Sequence, residues 1–381
     1  MTPLFPILLR IIRERGPITV AEFMELALYH PEHGYYAAAA QRSGRGGDFF
    51  TSVDVGPLFG EMIAVQLAEM WQLLRDAGAR TFDLVEAGAG NGRLSRDILD
   101  AAATRHPDLY EHVRLTLVER SATARGQQRE VLGPHATKLH CTAGIDSAGT
   151  KATVTPSSVT GVILANELLD ALPVHVVKMT PDGLREIFVE ERAGSLVDVE
   201  RAPSGPAIAD YLARYGATLG MGARTEVGLA AERWVAEAAS ALRVGFLLLF
   251  DYGHEAAELF SPTHAAGTLM AYRAHTARGD EPFHEPGMRD LTAHVNVTAV
   301  RAAAERAGLT TVGAVDQMYF LTGLGVVERL DSGSDRRAIA RRLAAKSLLI
   351  PGGLGSTMKV MAFARGLGRP RLRGLSSGRL T

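Results

Sequence analysis

The stretch of this chain best suited by residue type and spacing to do chemistry is Leu84-Val85-Glu86-Ala87-Gly88-Ala89-Gly90-Asn91-Gly92-Arg93-Leu94. An apolar run enters a glycine turn and leaves into a helix-forming segment. A ligand can therefore press against bare backbone at a helix N-terminus. The dinucleotide fingerprint G-x-G-x-x-G needs a third glycine where this chain has Arg93. The spacing here is G-x-G-x-G, with Glu86 two residues ahead of Gly88.

That spacing is similar to the S-adenosylmethionine (SAM) sites of Rossmann-like methyltransferases. SAM has no pyrophosphate for a helix N-terminus to hold. It carries a cationic sulfonium and an α-amino group, so a nearby Glu86 is electrostatically favourable. Farther on, Val118-Glu119-Arg120 puts a carboxylate at the C-terminal end of a second apolar run, where a ribose diol finds a bidentate acceptor. In the order strand, turn, helix, strand, these features point to a nucleoside cofactor, with SAM ahead of NAD. The expected cofactor-binding residues are Glu86, Gly88, Gly90, Gly92 and Glu119.

A second candidate stretch, Ala165-Asn166-Glu167-Leu168-Leu169-Asp170-Ala171-Leu172-Pro173, follows the apolar run Val162-Ile163-Leu164. Ligands of open α/β sheets sit at the carboxyl ends of strands. Asn166, Glu167 and Asp170 thus fall where a methyl acceptor should meet the cofactor. For Asp170, a helix N-terminus capped by Asn and Asp competes evenly with that role. Tyr272, Arg273, His275 and His294 form a weaker acceptor-side cluster, since a lone His more often serves structure than proton transfer.

These residues need a frame. From residue 81 apolar strands alternate with helices: Thr81–Glu86, Val113–Glu119, Val159–Ala165, Gly245–Asp251 and Met358–Ala364 read as buried strands. Such alternation predicts an α/β fold, a mostly parallel seven-stranded-type sheet covered on both faces. Val174–Val199 breaks the rhythm as an antiparallel β insertion. Before the sheet lie two helices split by Gly16-Pro17, the second opening on a Thr19/Glu22 capping box, and an amphipathic helix over 57–76. The expected organisation is an N-terminal helical or lid region over 1–76, a core over 77–365 with an insertion at about 174–225, and a mobile basic tail over 366–381.

Composition narrows the function. The 381 residues hold 41 basic and 42 acidic side chains, and 46% are hydrophobic. The chain can bury a large core, and its charge balance argues against a nucleic-acid binder. Cys141 is the lone cysteine, so an internal disulfide or Cys-based zinc cluster is excluded. His30-x-x-His33 lacks further ligands at metal-site spacing, and no metal is expected. No apolar run approaches the roughly 18 residues of a membrane helix, which predicts a cytoplasmic protein without membrane insertion.

The chain resembles the MidA family, the bacterial and mitochondrial complex I assembly-factor methyltransferases, over about residues 5 to 365. The resemblance rests on Gly34-Tyr35-Tyr36, Gly47-Asp48-Phe49-Phe50-Thr51-Ser52, Phe59-Gly60-Glu61, the Glu86–Gly92 loop and Ala165–His175. It continues through Asp251-Tyr252-Gly253, Gly267–His275 and Asp290–Asn296. It implies a Rossmann-like class I methyltransferase fold, SAM as cofactor, and Asp48, Thr51 and Ser52 in a loop over that cofactor. For the mitochondrial member it implies dimethylation of an arginine in a complex I subunit. A methyltransferase for another peptide or a small molecule, and a non-catalytic SAM-binding assembly chaperone, are the alternatives.

Methylating arginine poses a definite problem. A guanidinium stays protonated and is a poor nucleophile. A carboxylate must grip its fork, localise charge on the far nitrogens and favour proton loss. Glu167 is the expected carboxylate, with Asn166 and Asp170 orienting the substrate.

Overall fold

The computed structural model describes residues 2–37, 51–143, 154–273, 276–278, 282–330 and 333–376. Asp48 and His275 lie outside the described residues, as does the end of the basic tail. The chain divides into two compact units. Met1–Phe49, Leu169–Val235 and Gly253–Ala303 make the first; Phe50–Leu168, Ala236–Tyr252 and Ala304–Thr381 make the second.

The second unit is built on the alternating apolar runs. Strands β1 (Phe82–Ala87), β2 (Val113–Val118), β3 (Leu139–Ala143), β4 (Val159–Asn166), β5 (Leu242–His254), β6 (Thr310–Asp316) and β7 (Met358–Arg365) lie in the order β6-β7-β5-β4-β1-β2-β3. Strands β1 to β5 run parallel. β7 is antiparallel to both β5 and β6. Phe246 through Phe250 of β5 are buried on both faces, and each such side chain stabilises the fold by about 1.5–3 kcal/mol. Phe250 packs edge-on against Phe59 and Phe320 at 5.4 and 5.3 Å between ring centres.

Strand order matters more than strand count. From β1 the chain steps to β2 and β3 on one side, then returns to lay β4 on the other. The carboxyl ends of β1 and β4 therefore flank a topological switch point, the usual ligand crevice of an open α/β sheet. Ala87 pairs with Ala165. The glycine loop and the Asn166-Glu167 stretch consequently leave the sheet at the same level.

The first unit holds the antiparallel insertion. Ile18–Thr19, Gly183–Arg192, His175–Thr180 and Arg224–Val227 form a sheet in that order, with Ser195–Arg201 added on Gly183–Arg192. The helices Phe5–Arg15 and Val20–Tyr29 bury Leu8, Phe23 and Met24 with Val176, Ile187 and Val189. The capping box is formed as expected: Glu22 N–H donates to Thr19 Oγ1 at 3.1 Å, and Thr19 N–H to Glu22 Oε2 at 2.8 Å.

The domain outline needs correction in three places. Helix Leu58–Asp76, expected in a helical or lid region over 1–76, is part of the second unit's hydrophobic core, with Met62, Ile63, Leu67 and Trp71 buried there. Residues Gly253–Ala303, expected in the core, belong with the insertion in the first unit. The tail is docked at least through Ser376, not loose. Arg373 N–H donates to Glu69 Oε2 at 3.0 Å, and Gly374 N–H to Gln66 Oε1 at 3.2 Å. Gly374 fits there because a Cβ would come within 2.5 Å of the Phe320 ring.

Candidate active site

The glycine loop has a shape that side chains resist. Gly88, Gly90 and Gly92 sit at φ +70, +52 and +86°, the left-handed region that disfavours a Cβ. Gly88 and Ala89 donate their N–H groups to Val118 O at 2.9 and 3.2 Å, which ties the loop to the end of β2. Gly90 is different from its neighbours: no protein atom lies within 4 Å of where its Cβ would be.

Glu119 stands beside that open position. Its Oε2 accepts from Gly90 N–H at 2.8 Å and its Oε1 from Ser121 N–H at 2.7 Å. Each carboxylate oxygen can accept a further bond, so Glu119 is held in place without being saturated. Gln128, wholly buried, donates to Gly90 O at 2.9 Å. Open space over a bare glycine, next to a fixed carboxylate at a strand end, fits a nucleoside bearing a ribose diol.

Glu86, near the end of β1, is buried and accepts a hydrogen bond from Ser95 Oγ of the helix Arg93–Arg105. Burial pushes its pKa up to about 7, and the neighbouring Glu119 and Asp97 add to the rise against the opposing Ser95 bond. Its reach is toward the helix that follows the loop.

At the end of β4 the backbone of Glu167 is strained. The residue sits at φ +52° although it carries a full side chain, a conformation that costs on the order of 1 kcal/mol and persists where surroundings enforce it. The enforcing bonds are visible. Glu167 N–H donates to Phe250 O at 2.9 Å, and Leu168 N–H donates to Asp251 Oδ2 at 3.1 Å. Glu167 Oε1 in turn accepts from Ser52 N–H at 3.2 Å and from Asn166 Nδ2 at 3.3 Å. Desolvation raises the pKa of Glu167 to about 8; the bond from Ser52 opposes this, and Asp251 raises it further.

The stretch before the helix Leu58–Asp76 acts through its backbone. Thr51 donates its N–H and hydroxyl to Asp54 Oδ2 at 3.0 and 2.8 Å, and Asp54 Oδ1 receives Arg93 at 2.8 Å. Ser52 is buried, its hydroxyl on Gln317 Oε1 at 3.1 Å. The side chains of Thr51 and Ser52, two residues expected over a cofactor, build the turn whose amide reaches Glu167.

Sequence reasoning missed several residues that hold the site. Arg93 counted there against a dinucleotide, and here it ties the Thr51–Asp54 turn to the start of the loop's helix. Asp251 lay in a stretch that carried the resemblance, and its place at the end of a strand was the signal for a role. Gln317 and Gln128 gave none.

The other residues expected on the acceptor side lie in the first unit. Asp170 is buried, and its backbone carbonyl accepts Ala293 N–H at 2.9 Å. Tyr36 donates to Asp290 Oδ1 at 3.0 Å. Burial raises the pKa values of Tyr36 and Tyr272, and the nearby charges of Asp170 and Asp290 raise both further. Arg273 is exposed and paired with Glu285 Oε2 at 2.5 Å. His294 sits apart from these, beside His254 and His264.

A parallel sheet with a reversed last strand, an open glycine turn at its switch point and a carboxylate at the next strand end define a nucleoside-dependent transferase of Rossmann-like build. Comparison with known proteins makes this specific. Residues 62–315 match a family described as "Putative S-adenosyl-L-methionine-dependent methyltransferase". A structure from Burkholderia thailandensis, bound to S-adenosyl-homocysteine, is 32% identical with a TM-score of 0.88 and covers 98% of this chain and 95% of its own. The human mitochondrial protein arginine methyltransferase NDUFAF7 is 29% identical over 352 residues, 87% of this chain and 75% of that protein. The Drosophila melanogaster homologue is 29% identical over 343 residues, 84% of this chain and 74% of that protein. The chain belongs to this family of SAM-dependent methyltransferases, and its fold is the Rossmann-like class I fold.

Proposed function

We propose that the protein methylates a guanidinium nitrogen of arginine in a protein substrate, on a respiratory complex I subunit or a similar protein, in the bacterial cytoplasm. The observation that carries the reading is Glu167: strained, half-buried and held by Ser52 and Asn166 at the carboxyl end of β4. The names of the relatives, protein arginine methyltransferases of mitochondria, support the substrate class. Among the described residues, no helix is long and apolar enough to cross a membrane.

Gly88, Gly90, Gly92 and Glu119 hold the cofactor in this reading, Glu119 through the ribose. When bound, SAM supplies a methyl group on a cationic sulfur. Glu167 does the acceptor chemistry. With a pKa of about 8 it is largely protonated in the resting enzyme at neutral pH. An arriving guanidinium favours the carboxylate, so Glu167 gives up its proton to solvent, and the carboxylate then grips two N–H groups of the fork and draws positive charge toward them. The far nitrogen gains nucleophilic character, and the proton it sheds leaves to solvent. Asn166 keeps Glu167 Oε1 in place.

The test is transfer of a deuterated methyl group from SAM, read by mass spectrometry on proteins from a bacterial lysate. Label on arginine side chains is the expected result. Label confined to small molecules, or tight S-adenosyl-homocysteine binding with no label transferred, would replace the reading with one of the alternatives.

A further inference from the structure

We propose that His254, His264 and His294 form a binding site for a divalent first-row transition metal, with zinc the ion that fits best. The residues come from separate pieces of the first unit. His254 ends the strand Leu242–His254, and His264 ends the 3₁₀ turn Pro262–His264. His294 precedes Val295–Asn296, which pairs in parallel with Gly253 and His254. Sequence spacing hides such a set, because its members meet through strand pairing.

The geometry suits a tetrahedral ion. One nitrogen from each ring lies within 4.8 Å of the other two. The ring centres are 4.6, 5.0 and 6.4 Å apart. Imidazoles bound at a zinc–nitrogen distance of about 2.0 Å have nitrogens roughly 3.3 Å apart and ring centres on the order of 5 Å apart. Side-chain rotations that bring the nitrogens closer by up to about 1.5 Å would therefore close the site. All the rings are half-buried, so the ion would be partly shielded from water.

One ring is held as metal-bound histidines usually are: His264 Nδ1 lies 3.1 Å from the backbone carbonyl of Glu258, which fixes that ring and leaves its Nε2 to ligate. Glu258 Oε1 also lies 3.0 Å from His254 Nδ1, a carboxylate beside the cluster. The segment bearing His294 is fixed as well. Its N–H donates to Thr268 Oγ1 at 3.0 Å, and Thr268 donates its hydroxyl to buried Glu226 at 2.9 Å. Three neutral nitrogens leave a fourth position for water or an outside ligand. Bound there, the ion would clip the turn at 262–264 to the end of the long strand.

The experiment uses the full chain without a histidine tag, stripped of metal and titrated with zinc against a chromophoric chelator. One zinc per chain is expected, with affinity lost at least tenfold in His264→Asn and in His294→Gln. Cobalt should give the intense visible absorption of a tetrahedral site in the parent chain and not in these variants. Zinc should raise the thermal midpoint of the parent by several degrees and leave the variants unmoved. The midpoints of the metal-free proteins show that the variants fold. His30→Asn, which alters the separate stacked pair of His30 and His33, should bind zinc like the parent. Absence of stoichiometric zinc in the parent, or undiminished binding by both cluster variants, would overturn the proposal.

Discussion

The backbone N–H of Ser52 donates to Glu167 Oε1 at 3.2 Å, while the Ser52 hydroxyl is anchored on Gln317 Oε1 at 3.1 Å. The contact joins a loop before the first core strand to the end of β4, more than a hundred residues away in sequence. The bond from Ser52 also opposes the rise in the Glu167 pKa. Ser52→Ala keeps the amide but removes its anchor. We expect kcat to fall roughly threefold to tenfold, the size of one lost neutral hydrogen bond. The KM for SAM should stay constant, and the acidic limb of the kcat/KM profile should move to higher pH. An unchanged pH profile would leave Ser52 without a positioning role.

Glu167 offers a separation of stability from activity. Its left-handed backbone is strained with a side chain and relaxed without one. Glu167→Gly should therefore raise thermal stability, by about 1 kcal/mol, while abolishing methyl transfer. Glu167→Gln keeps the strain and the shape. It should lose at least a hundredfold in kcat and bind S-adenosyl-homocysteine within about threefold of the parent. In the parent, kcat/KM should climb with pH toward a limb near 8, set by the carboxyl of the substrate-free enzyme. Kinetics and calorimetry on both variants decide the matter.

Gly90 faces open space and Glu119 accepts its amide proton. Gly90→Ala would meet no protein atom, so its costs are a strained backbone and a methyl group standing in the ligand's place. The variant should fold, lose on the order of 1 kcal/mol of stability, and bind S-adenosyl-homocysteine at least tenfold more weakly. Glu119→Gln should weaken the same ligand through the ribose while leaving the loop folded. Thermal shifts with and without the ligand read both effects. Equal stabilisation of parent and variants would move the nucleoside away from this loop.

Much of this site was legible because strand ends and glycine turns leave local signatures. The run Leu84–Leu94 announces a strand, a turn and a helix through apolar spacing and glycine positions, and the fold places all of them there. Asn166 and Glu167 follow a strand whose neighbours could be guessed from the alternation. The partners of Glu167 could not. Ser52 reaches it, Gln317 anchors Ser52, and Asp251 holds the next residue, Leu168, all through contacts distant in sequence that no period or spacing encodes. Glu86 stands near the end of β1 as expected, and its bond from Ser95 of the following helix is a further contact that spacing does not encode. The domain outline failed for a related reason. An amphipathic helix over 58–76 looks the same in sequence whether it covers a sheet or forms part of a lid.

Glu86 gives the last prediction, and its sign can be worked out from burial. The carboxyl has a pKa of about 7 in the folded chain against 4.5 ordinarily, chiefly because burial penalises its charged form. Between those values the folded state holds a proton that the unfolded state has released. Stability must then fall as pH rises from 4.5 through 7, and the loss is complete above 7. Glu86→Gln cannot ionise, and its amide oxygen can still accept from Ser95 Oγ. The parent and the variant should have similar thermal midpoints at pH 5. At pH 8 the variant should be the more stable, by up to about 3 kcal/mol, the worth of the pKa difference at 1.36 kcal/mol per unit. Glu167 shifts in the same direction over a higher range, so the comparison is made between the two proteins at each pH. A gap that stays constant from pH 5 to 8 would mean that Glu86 keeps its charge when buried, and that Ser95 and the start of the helix compensate it.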